Sequence, residues 1–367
     1  MTLSSGDQRP WVVIVGGFLG AGKTSLIVAA AQLLRERGLR TGIILNDQGR
    51  DLVDTLYAEA QTLEAREVTG GCFCCRFSEL LSRLEDLRTS SSPDVIFAEP
   101  VGSCMDIAAT VLRPLQEEFA HYRLAPFTVL VDPLRSTELL RGTIDPNVEY
   151  LLSEQVKEAD IVCVSKTDVY HENLPLLGSR ARYLSAKTGQ GVKEWVSEVF
   201  SESIESAANA LSLDYERYAR AEAALAWLNL SFTFEPQVPL SPASVIGPFL
   251  DAVDRALTAA GIRIVHLKLI DRSPVGWLKA AICRNGDEPI VDGPIDASPA
   301  KHHELLLNLR AVSAPAAVAD IVRRELQSLA GATSGVRLEC FAPAAPVPER
   351  RIVDTDARRA MSPDRIV

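Results

Sequence analysis

Short runs of apolar, β-branched residues alternate with stretches of helical spacing along the first 200 residues. The first run, 11–15, ends in glycines, and the following segment, 23–36, has apolar side chains at helical intervals. Further strand-like runs are predicted at 41–45, 94–98, 127–131, 160–164 and 182–184, and a final helix is predicted at 192–200. Strands that alternate with helices predict an α/β domain with a mostly parallel sheet, which we assign to residues 10–200.

The pattern changes after residue 200. Residues 201–225 are rich in Ala, Ser and Glu without a strand signal, so we expect a helical or loose connector. The order strand, helix, strand, strand, helix, strand is then predicted over 228–234, 244–260, 262–270, 276–283, 314–330 and 336–341. This split order is typical of a smaller, ferredoxin-like α+β domain, expected over 226–342. Residues 343–367 contain several prolines and charges and are predicted to be a flexible tail.

Composition narrows the classes of function. A chain of 367 residues with 47% hydrophobic and 23% charged residues is typical of a globular protein with two domains. A net charge of −10 without a Lys/Arg-rich block argues against nucleic acid or an anionic membrane as a partner. The first ten residues lack the pattern of a secretory signal, and no apolar run is long enough to span a membrane, so we expect a cytoplasmic protein.

Residues 17–24 fit the phosphate-loop pattern G-x-x-x-x-G-K-[ST] at every position, between a predicted strand and a predicted helix. Backbone N–H groups of such a loop point at the β-phosphate, the Lys23 amine reaches the β and γ oxygens, and the Thr24 hydroxyl binds Mg²⁺. A glycine-rich turn that matches by chance is the alternative, which this context disfavours. The nucleotide-binding residues predicted here are Gly17, Gly20, Ala21, Gly22, Lys23, Thr24 and Ser25.

Two carboxylates end neighbouring predicted strands. Glu99 ends the strand at 94–98 and precedes Gly102, while Asp47 ends the strand at 41–45 within the possible switch segment 46–50. A carboxylate at either place can hold the water shell of Mg²⁺ and sense the γ-phosphate. We therefore expect Lys23, Asp47 and Glu99 to be catalytic and Gly102 to contact the nucleotide. For Glu99 alone, an ordinary surface carboxylate is the alternative.

Two further segments predict the choice of base. Residues 165–168 read Ser-Lys-Thr-Asp after the fifth strand, and Ser185, Ala186 and Lys187 follow the sixth. The Asp168 carboxylate can accept hydrogen bonds from N1–H and the 2-amino group of guanine, whereas adenine has an acceptor at N1. The Lys166 stem would then cover one face of the base, which favours GTP. A helix-capping cluster is the alternative for either segment alone.

Three cysteines, Cys72, Cys74 and Cys75, follow paired glycines between the second strand and the Glu99 strand. Three thiolates bind one Zn²⁺, Co²⁺ or Ni²⁺ ion and leave a fourth position for water, another side chain or a receiving protein. A redox dithiol and buried structural cysteines are the alternatives. Cysteines that stand singly are predicted to lie in the core, and these are Cys104, Cys163, Cys283 and Cys340. Residues 301–304, which include two histidines, are predicted to lie on the solvated face of a helix, and a contribution to a metal route is the alternative.

These motifs, in this order, resemble those of the CobW-like metallochaperone GTPases, relatives of the urease and hydrogenase accessory GTPases. The resemblance covers about the first 200 residues, and its most specific element is the C-x-C-C motif. It implies phosphate and Mg²⁺ binding by Lys23 and Thr24, a Walker B-like role for Glu99, guanine binding by Asp168 and metal binding by the three cysteines. Ser165 stands where the family usually has Asn, and residues 46–50 lack the family's Asn-Glu-Phe-Gly pattern.

The resulting prediction is a slow GTPase, with GTP and Mg²⁺ as cofactors, that binds Zn²⁺ (or Co²⁺ or Ni²⁺) and delivers it to a client metalloprotein. A nucleotide-gated interaction module with structural or redox cysteines remains an alternative. A P-loop ATPase or kinase with a redox dithiol is a third reading of the same motifs. A homodimer stays open, and neither the metal nor the client follows from the pattern.

Overall fold

Eight strands of the described residues, all paired in parallel, form a sheet in the first half of the chain. The computed structural model describes residues 8–49, 52–170, 181–201, 203–207 and 209–353. The strands are β1 (Trp11–Gly17), β2 (Thr41–Asp47), β3 (Glu64–Thr69), β4 (Val95–Glu99), β5 (Arg123–Leu124), β6 (Thr128–Val131), β7 (Ile161–Val164) and β8 (Ala181–Tyr183). The helices are α1 (Lys23–Arg35), α2 (Val53–Ala60), α3 (Phe77–Ser90), α4 (Arg113–Glu118), α5 (Pro133–Arg141), α6 (Pro146–Glu158) and α7 (Val192–Val199), with a π-helical turn at Ala108–Leu112 before α4.

The strand order of this sheet, β3-β2-β4-β1-β6-β7-β8, positions the predicted motifs. The short strand β5 pairs with the start of β1, and β6 pairs with its end. Because β1 and β4 are neighbours, the phosphate loop and Glu99 leave the sheet side by side, with the end of β2 next to Glu99. The carboxyl edge of a parallel sheet is where such folds bind ligands.

The predicted strands of this half are all present, and two more were missed. Strand β3 reads Glu-Ala-Arg-Glu-Val-Thr, and its residues are mostly half-buried because it lies at the edge of the sheet. An edge strand lacks the continuous apolar run of a buried strand. Strand β5 has only two residues, too few to produce a pattern.

Six antiparallel strands form the second sheet, in the order β12-β11-β10-β13-β9-β14. Its strands are β9 (Leu225–Pro236), β10 (Arg263–Ser273), β11 (Gly276–Ile282), β12 (Ile290–Asp292), β13 (His303–Val312) and β14 (Gly331–Phe341). The helices are α8 (Tyr215–Ala223) in the connector, α9 (Pro242–Ala259) and α10 (Pro315–Gln327). Helices α9 and α10 pack against the sheet, while Ile270 and Leu306 join a core in the first half of the chain. The expected α/β fold followed by a smaller α+β domain is therefore confirmed.

The predicted helix over 301–304 is wrong, because His303 and Glu304 begin strand β13. His303 is buried, and its Nδ1 lies 2.7 Å from Asp271 Oδ2, so it does not belong to a solvated face. The missed strand has an apolar middle that gives no clear alternation, which is why its period was ambiguous. With β13 as the third strand, β9, β10, β13 and β14 have the split ferredoxin-like order, and β11 and β12 extend the β10 edge.

The chain after β14 returns to the first half of the protein. The Glu349 N–H donates to the Cys74 carbonyl at 2.9 Å, and the Ile352 N–H donates to the Ala109 carbonyl at 2.8 Å. We call residues 345–353 the C-terminal segment. This segment is bonded to the first half of the protein, unlike the flexible tail predicted over 343–367. Residues 354–367 lie outside the described ranges. Across those ranges, no helix combines the length and apolarity needed to cross a bilayer.

Candidate nucleotide pocket and cysteine site

A cavity of about 290 Å³ lies between the carboxyl edge of the first sheet and strands β10 and β11. The predicted nucleotide and catalytic residues that line it are Gly20, Gly22, Lys23, Thr24, Ser25, Asp47, Glu99, Lys166, Asp168, Ala186 and Lys187. Four predicted residues do not line it, namely Gly17, Ala21, Gly102 and Ser185. The folded chain therefore brings together in one cavity motifs that are more than 160 positions apart.

Two of the glycines outside the cavity are needed for close packing. Gly17 has φ +130°, and a Cβ there would lie 2.4 Å from the Leu130 carbonyl oxygen of β6. A Cβ on Gly102 would lie 2.7 Å from Cδ2 of Leu19 in the phosphate loop. Gly17 allows the end of β1 to pack against β6, and Gly102 allows the loop after Glu99 to contact the phosphate loop.

Lys23, Thr24 and Glu99 form a buried polar group at one end of the cavity. The Thr24 hydroxyl donates to Glu99 Oε2 at 2.8 Å, and the Lys23 amine lies 3.5 Å from Glu99 Oε1. Burial lowers the pKa of Lys23 and raises the pKa of Glu99, and their mutual attraction opposes both changes. A buried lysine provides the positive charge that a phosphate requires, and a buried carboxylate provides the negative charge that a metal ion requires.

The donor set fits Mg²⁺. A hydroxyl and a carboxylate oxygen 2.8 Å apart, both buried, are hard oxygen ligands of the kind that Mg²⁺ prefers. Thr24 would hold the ion directly, and Glu99 would hold it directly or through its water shell. When bound, the ion would neutralise charge on the β- and γ-phosphates.

Asp47 lines the cavity, but its carboxylate is paired with the second sheet. Nη2 of Arg310, on β13, donates to both carboxylate oxygens at 2.9 Å, and the Gly49 N–H donates to Oδ1 at 2.9 Å. Nε2 of Gln48 donates to Glu222 of α8 at 3.3 Å. The described part of the expected switch, 46–49, is thus held by residues beyond position 220, whereas Arg50 lies outside the described ranges.

The base end of the cavity is formed by the loops after β7 and β8. Asp168 is half-buried on its wall, and Lys166 has φ +56° with its amine 2.6 Å from Asp132 Oδ2. The Ser165 hydroxyl donates to the Val131 carbonyl at 3.3 Å, so it bonds within the sheet. The Asp168 carboxylate and the Ala186 backbone share this end of the cavity, as guanine binding requires.

The second sheet adds cations that sequence reasoning missed. The Lys268 amine bonds to Asp54, and its charge acts on both Lys23 and Glu99. The Lys279 amine lies 3.3 Å from the ring centre of Tyr57. His266 and Lys268 alternate with apolar residues in β10, a signal of one polar strand face that could have been noticed. Nothing in the sequence indicated which partner that face would meet.

The thiols of Cys72, Cys74 and Cys75 all lie within 4.8 Å of one another. The Sγ atoms of Cys72 and Cys74 are 2.8 Å apart, those of Cys72 and Cys75 are 3.3 Å apart, and those of Cys74 and Cys75 are 3.6 Å apart. Cys72 and Cys74 are buried and Cys75 is half-buried. On its outer side the Val347 N–H of the C-terminal segment donates to Cys75 Sγ at 3.2 Å. Such a cluster of soft ligands can bind one transition-metal ion.

A single side chain joins the cysteine loop to the loops around the cavity. Nδ2 of Asn46, near the end of β2, donates to the Gly71 carbonyl at 2.7 Å, and its Oδ1 accepts from the Phe73 N–H at 2.9 Å. The same Oδ1 accepts from the Val101 N–H, in the loop after Glu99, at 3.3 Å. Asn46 is therefore bonded at once to the cysteine loop and to the loop that follows Glu99.

The four cysteines predicted to lie in the core differ in their surroundings. Cys163 is buried in β7, as expected, but Cys283 and Cys340 are only half-buried, and Cys283 lines the nucleotide cavity. Cys104 is buried beside the cysteine site. Hydrogen bonds from Cys72 and then Cys74 lower the pKa of Cys104 to about 6. Without metal, hydrogen bonding with Cys104 raises the pKa of Cys72, and of Cys74 more strongly.

Comparison with known proteins finds that residues 11–189 match the model of the CobW/HypB/UreG family, nucleotide-binding domain. The chain is 31% identical to the zinc chaperone YjiA of Escherichia coli (strain K12) over 186 residues, which are 46% of this chain and 55% of that protein. It is 29% identical to the zinc chaperone CobW of Sinorhizobium sp over 181 residues, 42% of this chain and 50% of that protein. The matches thus span about half the length of these curated relatives.

Among solved structures, the hydrogenase maturation factor HypB from Archaeoglobus fulgidus is similar, with a TM-score of 0.36 and 18% identity. That alignment covers 52% of this chain and 88% of HypB. The matched residues include the phosphate loop, the three-cysteine cluster, Glu99 and both segments that are predicted to contact the base. Residues 11–189 of this chain are therefore similar to the nucleotide-binding domain of the CobW/HypB/UreG family.

Proposed function

We propose that this protein is a GTP-binding and GTP-hydrolysing metallochaperone. In this proposal it binds Zn²⁺, or Co²⁺ or Ni²⁺, at Cys72, Cys74 and Cys75 and delivers the ion to a client metalloprotein. The observation that supports it best is Asn46, which bonds to both the cysteine loop and the loop after Glu99. A change at the γ-phosphate can thus reach the metal ligands through one side chain. The names of the relatives, both zinc chaperones, favour the same function.

In the nucleotide pocket, the proposal assigns Lys23 to the β- and γ-phosphates and Thr24 and Glu99 to Mg²⁺. Asp168 accepts hydrogen bonds from guanine, and the Ala186 N–H donates to the guanine oxygen. Asp47 acts from the switch and needs to leave Arg310 before its carboxylate is free to orient a water molecule. That requirement is consistent with slow hydrolysis that a partner or metal accelerates.

At the cysteine site, the metal displaces the thiol protons, so binding needs reduced cysteines and releases protons to solvent. This requirement favours a reducing compartment such as the cytoplasm. Movement of Asn46 with the switch would distort the site, and thiolate or imidazole ligands of a client could then take the ion. The hydrolysis of GTP would make the transfer of the ion proceed in one direction, from this protein to the client.

A titration of reduced protein with Co²⁺ tests the proposal, in samples that contain Mg²⁺ with a non-hydrolysable GTP analogue, Mg²⁺ with GDP, or no nucleotide. We expect one site with thiolate-to-cobalt absorption, whose affinity differs between nucleotide states by about 5–150-fold. Cys74→Ser should abolish the absorption, whereas Cys340→Ser, in the second sheet, should not. Equal affinity in all three states would contradict the metallochaperone function and favour a nucleotide-gated interaction module.

A further inference from the structure

The loop that follows β4 brings a fourth thiol to the cysteine site. Cys104 lies five positions after Glu99, and its Sγ is 3.9 Å from Sγ of Cys74. Its thiol also interacts with that of Cys72. The residue is only 4% exposed. Four of the seven cysteines in the chain therefore lie near one another, from two separate segments.

Two of the sulfur separations are close to those of a tetrahedral site. Four thiolates around one zinc ion, with bonds of about 2.3 Å, have sulfur atoms about 3.8 Å apart. The distances from Cys74 to Cys75 and to Cys104, 3.6 and 3.9 Å, are close to this value. Those from Cys72 are shorter, at 2.8 and 3.3 Å, so binding requires a small outward shift of Cys72. Cys104 lies outside the group of three thiols that are all within 4.8 Å of one another, so binding also requires Cys104 to move closer to them.

We infer that Cys104 is the fourth thiolate ligand of the metal ion that Cys72, Cys74 and Cys75 bind. This inference depends on the proposed metal site and goes beyond it, because three ligands come from the C-x-C-C segment and the fourth from the nucleotide-sensing loop. The ligand set selects a soft or borderline divalent ion such as Zn²⁺ or Co²⁺. Each thiol loses its proton to solvent as it binds, so charge and protons balance without any redox step.

The position of Cys104 gives the nucleotide a direct means of loosening the ion. Nε2 of Gln155 donates to the carbonyls of both Gly102 and Cys104 at 3.0 Å, so these residues move together. Gly102 packs against Leu19 of the phosphate loop. A shift of this loop on nucleotide exchange therefore withdraws Cys104 from the C-x-C-C thiols. A closed site of four thiolates then becomes a site with one open position, which a client ligand can enter.

X-ray absorption on the wild-type protein loaded with one Zn²⁺ tests the ligand count without any substitution. We expect four sulfur neighbours at about 2.3 Å. Three sulfur atoms and one nitrogen or oxygen would overturn the inference and leave the three-cysteine site in place. A spectrum without sulfur neighbours would overturn both this inference and the proposed function.

Cobalt titration of three variants tests the same point by affinity. Cys104→Ser should bind Co²⁺ at least about tenfold more weakly, with less charge-transfer absorption and a reduced dependence on nucleotide. Cys340→Ser is the matched control and should behave as wild type, while Cys74→Ser should lose binding. Wild-type behaviour of Cys104→Ser would overturn the inference alone. If circular dichroism shows that Cys104→Ser is unfolded, Cys104→Ala replaces it, and the wild-type sulfur count decides.

Discussion

Nη2 of Arg310 lies 2.9 Å from each carboxylate oxygen of Asp47, although 263 positions separate the two residues. The Arg310 side chain is 3% exposed and that of Asp47 18%. The arginine also lies over the Trp227 ring, 4.2 Å from its centre. This pair links the end of β2, where we propose that the nucleotide is sensed, to the middle of the second sheet.

Replacing Arg310 by Met should lower the free energy of unfolding by about 3 kcal/mol, because the Asp47 charge is left partly buried without a partner. Urea denaturation measures the change. Arg324→Met, at an exposed position of α10, is the control and should cost about 0.5 kcal/mol or less. The double variant Arg310→Met with Asp47→Asn should lose less free energy of unfolding than the sum of the two single variants. A loss equal to that sum would show that the two residues are not coupled.

Lys23→Ala should weaken GTP binding by about 10–100-fold, because a charge-assisted contact to phosphate is lost. A fluorescent GTP analogue measures the affinity. Lys193→Ala changes an exposed lysine of α7 and should have no effect. Equal affinity of wild type and Lys23→Ala would place the phosphates elsewhere.

Asp168→Asn should lower the affinity for GTP and raise that for xanthosine triphosphate. The asparagine amide can donate to the oxygen at position 2 of xanthine but meets the 2-amino group of guanine as a donor. A loss of GTP affinity of about tenfold or more is expected from unpaired polar groups in a pocket. Competition of both nucleotides, and of ATP, against labelled GTP provides the measurement. Unchanged base preference would mean that another residue reads the base.

Lys268→Met tests whether the second sheet takes part in phosphate binding. Since the Lys268 charge acts on Lys23 and Glu99, we expect about tenfold weaker GTP binding and little change for guanosine. Lys301→Met, at an exposed position, is the control. Adding Asp54→Asn removes the carboxylate that Lys268 leaves unpaired and should recover stability without recovering GTP affinity. A parallel loss of guanosine affinity would indicate general damage to the cavity.

Glu222 should make stability depend on pH. Burial raises its pKa to about 8, from 4.5, although the hydrogen bond from Ser103 opposes this. Between these two pKa values the folded protein binds a proton that the unfolded chain releases. The contribution of Glu222 to the free energy of unfolding is therefore complete below about pH 4.5 and is lost as the pH rises to 8. Between those limits the slope is at most about 1.4 kcal/mol per pH unit. Glu222→Gln should lose that slope, which thermal unfolding of both proteins from pH 5 to 8 would detect. Parallel curves would show that Glu222 does not titrate in this range.

The sequence was informative where chemistry depends on local spacing. The phosphate loop, Glu99 and Asp168 each follow or end a strand that an apolar run of the sequence predicts. Parallel pairing of these strands brings their carboxyl ends to one edge of the sheet. Arg310 and Lys268 were missed because their roles depend on how the second sheet docks. Cys104 was predicted to be a core residue, which describes its burial, but its distance from Cys74 follows from the path of the loop after Glu99.

The C-terminal segment has a consequence for the order of events during synthesis. Its Val347 and Glu349 N–H groups, which bond at Cys75 and Cys74, belong to residues translated after every strand of both sheets. While the ribosome is still making the second sheet, the cysteine loop is without this cover. Metal that enters early would meet an open cluster, and metal that enters after release would meet a covered one. If the cluster binds metal as proposed, the timing of loading relative to translation would determine how freely the ion can be exchanged.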